Sequence, residues 1–326
     1  MKKKILFCTE ASWYATGYSV YTKEVLSRLS QIDEFEIAEL GCYAETKEGQ
    51  DKNLPWKFYG NKPPHDSAEF QAYKGNPSAQ FGDQSFNSVL LDFKPDIVMD
   101  IRDWWMMEFE QRSPFRDFFH WSVMPTVDAE PQADQWINTY ASADSVFAYS
   151  EFGRDTMINQ CDDINFIDIA SPAASKCFSP APDKAAHKAA MGISPNCFVV
   201  GTVMRNQKRK LYPDLMQSFR KFLDETQDPN CFLYCHTYYP DVGWELPKLI
   251  HENGLASRVL MTYKCKSCGK ISVDFFQNSI QNCPHCQSLT NHIVGIANPV
   301  SDEELANIYN CFDIYVQYAN SEGFGM

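Results

Sequence analysis

The chain has 326 residues, 44% of them hydrophobic and 22% charged, the proportions of a soluble globular protein with room for two cores. Its formal charge of −13 excludes a surface that coats nucleic acid over its whole area, though not a local basic patch. No apolar run approaches the roughly 20 residues of a membrane span, and twelve cysteines, only four of them clustered, do not make a secreted disulfide framework, so a reducing, cytoplasmic compartment is expected.

The start, Met1-Lys2-Lys3-Lys4 and then Ile5–Cys8, has an apolar run too short for a signal peptide and reads as a first buried strand. A loop from Thr9 to Gly17 follows, then a helix in which Tyr21, Val25 and Leu29 repeat at helical spacing. Phe35–Leu40 is a second strand. The polar stretch from about Lys47 to Asp83, with Pro55, Pro63, Pro64 and Pro77, shows no period and is expected to be a long loop or insertion. Strands are then expected at Asp96–Ile101, Phe118–Met124, Ser145–Tyr149 and Asn165–Ala170. Met124-Pro125-Thr126-Val127-Asp128 leaves a strand end, where doubly wound sheets bind ligands. Ser150 has the position of a helix N-cap.

Ser171-Pro172 through Ser179-Pro180-Ala181-Pro182 reads as an interdomain connection, dividing the chain into domains 1–175 and 176–326. The second series of strands is Cys197–Val203, Cys231–His236, Arg258–Tyr263 and Asp313–Gln317. Strands alternating with helical stretches imply an α/β fold built on parallel sheets. After the first of them comes Met204-Arg205-Asn206-Gln207-Lys208-Arg209-Lys210, and then a helix with Leu215, Phe219 and Phe222 on one face. Cations at a strand–loop–helix junction suit a diphosphate, which an arginine fork holds bidentately; a solvated basic loop is the competing reading.

Cys265-Lys266-Ser267-Cys268 and Cys283-Pro284-His285-Cys286 form C-x2-C-x14-C-x2-C within an insertion at 263–292. Two such knuckles complete a four-thiolate zinc site with no open position, so the metal is expected to be structural. Ile271, Val273 and Phe275 alternate as one strand of a small hairpin. Removing the metal is expected to unfold this ribbon locally and to leave most of the α/β structure. Ser301-Asp302-Glu303-Glu304 is a capping box opening an amphipathic helix. The chain closes on Ser321-Glu322-Gly323-Phe324-Gly325-Met326, where bare glycine amides beside a carboxylate suit a polyhydroxylated ligand.

The Glu322-Gly323-Phe324-Gly325 run, preceded by the Ser301 helix and by Arg205 and Lys210 in that order, resembles GT-B glycosyltransferases of the large retaining, family-4-like group whose donor motif is Glu-x7-Glu. The second glutamate would fall beyond Met326, so the second of the two Rossmann-like domains looks incomplete. The resemblance implies a first, acceptor-side domain and a second that binds a nucleotide-diphosphate sugar. It implies that Arg205 and Lys210, with Arg209 as competitor, contact the diphosphate. Glu322 and the amides of Gly323, Phe324 and Gly325 would then hold the sugar, Gly17 would lie in a loop near the phosphates, and Asp128, with His120 as alternative, would face the sugar. The acceptor stays open among glycan, lipid, protein and modified DNA base, and the sequence does not identify the donor's sugar or base. A rival reading is a fold-conserving binding protein that has lost turnover and acts through its zinc ribbon.

Overall fold

In the computed structural model, which describes residues 2–295 and 297–324, the first apolar run extends two residues beyond expectation at each end, forming β1 (Lys3–Glu10). Parallel to it run β2 (Phe35–Cys42), β3 (Lys57–Gly60), β4 (Ile97–Asp100), β5 (His120–Val123), β6 (Ser145–Ala148) and β7 (Phe166–Ile169). Their order is β3-β2-β1-β4-β5-β6-β7. Side-chain alternation divides β1 between two cores. Leu6 and Cys8 pack with Leu40, Val98 and Trp121 on one face, and Ile5 and Phe7 pack with Ile37, Ile101 and Met124 on the other. The strand order turns back between β1 and β4, which opens a crevice at their carboxyl ends.

The segment from Lys47 to Asp83 is not a structureless loop. It holds the edge strand β3 and the helices Glu69–Gly75 and Pro77–Phe81, while Thr46–Gln50 begins just before it. Each element is four to seven residues long, too short for a period to emerge. Helix Gly17–Leu29 is capped by Thr16, and its most buried residues are Ser19, Thr22 and Leu26, with Tyr21, Val25 and Leu29 at the margin. Thr22 meets Thr9 of β1 hydroxyl to hydroxyl at 3.0 Å, a polar register pin.

The second unit contains β8 (Phe198–Val203), β9 (Cys231–His236), β10 (Val259–Cys265), β11 (Ile271–Phe275), β12 (Asn291–Ile293) and β13 (Ile314–Tyr315). β8, β9, β10 and β13 are parallel, in the order β10-β9-β8-β13, while β11 and β12 pair β10 antiparallel. Helix Tyr212–Thr226 buries Tyr212, Leu215, Met216, Phe219 and Leu223 against β8 and β9. By contacts the units are Met1–Pro172 with Glu322–Met326, and Ala173–Ser321. Among the described residues no helix is long and apolar enough to cross a membrane.

Candidate functional site

In the second unit, the loop leaving β8 carries the expected cations. Arg205 is exposed and its fork grips Asp241, Nε to Oδ2 at 2.8 Å and Nη2 to Oδ1 at 3.0 Å. Burial opposes charge on Asp241, but the bonds from Arg205 and from the Val242 N–H hold its carboxyl below the usual range. Asn206, fully buried, accepts from Trp244 N and donates to Trp244 O, both at 2.8 Å. A Cβ on Gly243 would overlap Asn206, so this close turn requires glycine. Together these contacts lay the turn after β9 against the loop after β8.

Lys210 is buried, and burial followed by the Arg209 charge lowers its pKa to about 8. The same loop closes on the chain leaving β13. Leu211 N donates to Tyr318 O at 3.1 Å, Asn320 N to Arg209 O at 2.9 Å, and Arg209 Nη1 to Ser321 O at 2.9 Å. Arg209 and Lys210 thus adjoin the residues that lead directly into Glu322. At the end of β9, His236 Nδ1 meets Thr262 Oγ1 at 2.9 Å, and burial lowers its pKa to about 4, leaving a neutral imidazole.

In the first unit, Asp128 follows β5 and is half-buried, and neither it nor Asp103 has an ion-pair partner among the described residues. Asp103, after β4, has its pKa raised by burial, against hydrogen bonds from Tyr18 and Thr126. Tyr18 and Thr126 share a hydroxyl contact of 2.6 Å. The Glu322–Phe324 segment belongs with this unit: a Cβ on Gly323 would overlap the Thr126 side chain, and the Phe324 ring lies 6.4 Å from that of Tyr149. Gly17 is the first residue of its helix, beside the Thr16–Glu10 hydrogen bond. Gly325 lies outside the described residues. His120, the alternative to Asp128, sits at the amino end of β5, exposed and bonded to Ser145 Oγ at 2.9 Å. It is neither a core histidine nor at the ligand-binding end of the sheet.

The four clustered cysteines converge as their spacing requires. Their sulfurs all lie within 4.8 Å of one another, with Cys265–Cys286 at 3.6 Å and Cys268–Cys283 at 3.7 Å. A tetrahedron with Zn–S bonds of about 2.3 Å has S···S edges of about 3.8 Å, which the Cys265–Cys286 and Cys268–Cys283 edges match, so the set is compatible with zinc. The two knuckles repeat each other. Gly269 N donates to Cys265 O and Gln287 N to Cys283 O, each at 2.9 Å, while Cys265 N bonds Lys270 O and Cys283 N bonds Ser288 O. Gly269 and Gln287, in equivalent places, have φ of 72° and 62°. The His285 N–H points at Cys283 Sγ, 3.4 Å away.

Sequence reasoning passed over Asp241, Asn206, Trp244, Asp103 and Tyr18. The Asp241-Val242-Gly243-Trp244 turn carries a visible turn signal, but nothing in the sequence says that it folds back on Arg205.

No protein-family model and no curated protein matches the sequence. Solved structures do match. Sucrose-phosphate synthase from Thermosynechococcus elongatus superposes with a TM-score of 0.67 at 14% identity, covering 100% of this chain and 77% of that one. A glycosyltransferase from Rickettsia africae ESF-5 gives 0.60 at 13% identity, covering 98% and 73%. Anabaena HepE, determined with UDP and glucose, gives 0.55 at 16% identity, covering 79% and 68%. At such identities the likeness is one of fold. The chain has the GT-B architecture of two Rossmann-like sheets, and it carries a four-cysteine cluster.

Proposed function

We propose that the chain is a nucleotide-sugar glycosyltransferase that transfers a sugar with retention of configuration and without a catalytic divalent metal. The observation that carries the reading is the closure of the Arg209–Lys210 loop onto Tyr318–Ser321, which sets two cations beside the strand end that leads into Glu322. Negative charge grows on the diphosphate as its bond to the sugar breaks, and fixed cations stabilise that charge more than the ground state. In this reading Lys210 and Arg209 serve that charge directly. Arg205 contributes through its charge and through the Asp241 turn it holds. Glu322 and the amides of Gly323, Phe324 and Gly325 take the sugar hydroxyls, and Asp128 helps to orient the sugar. Gly17, the first residue of its helix, keeps the role that the resemblance gives it, in a loop near the phosphates. The cysteines hold one structural zinc, which contributes folding free energy and no chemistry.

Calorimetry with UDP and GDP tests the reading. A charge-assisted phosphate contact is worth roughly 1.5–3 kcal/mol, so Lys210→Ala should weaken binding about ten- to a hundredfold. With its pKa near 8, Lys210 is charged below that pH and neutral above it. Nucleotide affinity should therefore hold below pH 8 and fall as the pH rises through it, and Lys210→Met should flatten that profile. Equal binding of both nucleotides by parent and Lys210→Ala, with an unchanged profile, defeats the assignment.

A further inference from the structure

The insertion shares a strand with the sheet it interrupts. β10 pairs β9 through Val259, Leu260 and Met261, and it pairs β12 through Tyr263, Lys264 and Cys265. Along its other edge β11 covers Leu260–Lys264. Residues that pair two strands at once must do so on opposite edges, so β12 continues the line of β9 where β9 ends. The first zinc ligand, Cys265, is the last residue of this shared strand.

The residues just before Cys265 are occupied on every side. Thr262, fully buried, meets His236 Nδ1 at 2.9 Å and Tyr234 OH at 3.0 Å. Tyr263, also fully buried, donates to Phe275 O at 3.0 Å and accepts from Gln277 N at 2.9 Å. Lys264 Nζ reaches Glu304 Oε2 at 2.7 Å, the carboxylate that also accepts from Ser301 N and so closes the capping box of helix Asp302–Tyr309. Beyond β12, a Cβ on Gly295 would press into the Tyr238 ring, so the returning chain is fitted to the turn that follows β9.

We infer that the metal held by Cys265, Cys268, Cys283 and Cys286 staples the edge of the second unit's sheet, fixing β10, the end of β9 and the start of the Ser301 helix, and does not fold a detachable module. The inference rests on the zinc reading above. A local module would need its own core, but among the described residues the two strands it supplies, β11 and β12, pair no strand other than β10, and β12 adds a bridge from Asn291 to Gln281 inside the insertion. Without the metal, β12 loses its anchor at both knuckles and the Tyr263–Cys265 half of β10 loses one of its two neighbours.

Hydrogen exchange on the whole reduced chain, with bound zinc counted by atomic emission, tests this. About one zinc per chain is expected. Chelation should raise exchange on the order of a hundredfold at Thr262–Cys265 and His236, and at the first turn of the Asp302–Tyr309 helix, because local opening sets the rate. Central β8 should stay protected; its loss as well would mean that the staple holds the entire sheet. Cys286→Ser removes a ligand outside β10 and leaves every residue of β10 unchanged, and it should raise exchange at the same positions as chelation. If that variant does not fold, chelation of the parent decides alone. A chain with all four thiols reduced that binds no zinc overturns the zinc reading and the staple together. A chain that binds zinc but on chelation changes only between residues 266 and 292 overturns the staple and leaves the zinc reading standing.

Discussion

Arg102 shows how much a single side chain can organise without announcing itself. It is fully buried at the end of β4, pairing with Asp100 and with Glu110, the latter at 2.5 Å, and donating to Phe81 O at 2.7 Å. Trp121 Nε1 gives Asp100 a further donor at 2.8 Å. One guanidinium faces two carboxyls, and burial followed by the Asp100 charge raises the Glu110 pKa well above its usual value, so of the two carboxyls Glu110 is the one expected to lose less on becoming a neutral amide. Arg102→Met should therefore cost roughly 3–5 kcal/mol, because it leaves the buried Asp100 without its ion-pair partner, whereas Glu110→Gln should cost under about 1 kcal/mol. Urea denaturation of both variants checks the contrast, and equal losses would show that Glu110 is ionised. In the sequence, Arg102 and Asp103 only follow the strand expected at Asp96–Ile101. Burial of this charge depends on Glu110 and Phe81, 8 and 21 residues away along the chain, as well as on the nearby Asp100, and no local pattern records it. The same limit applies at Arg205, whose spacing suggests a phosphate ligand while its partner in the fold is Asp241.

At the scale of elements, what the sequence makes legible is what a period or a local hydrogen bond encodes. The long helix Tyr212–Thr226 shows its apolar stripe, the parallel strands show their β-branched runs, and the Ser301 capping box forms in full, with Glu304 N to Ser301 Oγ at 3.2 Å and Ser301 N to Glu304 Oε2 at 2.7 Å. The alternation of Ile271, Val273 and Phe275 becomes β11. β3 and β12 escape because they are defined by their neighbours: β3 by the register Ala38–Gly41 of β2, β12 by Tyr263–Cys265. The box also lends itself to measurement. Ser301→Ala removes the acceptor of an N-terminal amide and should cost about 1 kcal/mol. Ser301→Asp should recover most of it, since a carboxylate also caps and favours the positive helix end. Matching losses in the two variants would mean that the cap does not support this helix.

For the whole molecule, the GT-B outline was readable because each sheet is a repetition of one local unit, a buried strand followed by an amphipathic helix. The relation of the ribbon to its host was not, because C-x2-C spacing specifies ligands and says nothing about which strand the first of them ends. Its backbone could have formed a separate lobe with the same cysteines. The chain passes between its two units at Pro172–Ala173, and Ala173, Ala174, Ser175 and Lys176 are all exposed, in neither helix nor strand. A protease needs an extended, accessible stretch of backbone, which the sheets deny and this stretch offers. Brief trypsin treatment of the native, zinc-loaded chain should thus cut first after Lys176, yielding two fragments that each resist further cleavage, as mass spectrometry can read directly. Lys266 and Lys270 are also exposed, but they lie in and just after the first knuckle, where the bonds from Gly269 N to Cys265 O and from Cys265 N to Lys270 O, and bound zinc in the loaded chain, would hold the turn closed. Cleavage there should appear only after chelation. Early cutting at Lys266 or Lys270 in the zinc-loaded chain would show that the knuckle opens without losing its metal.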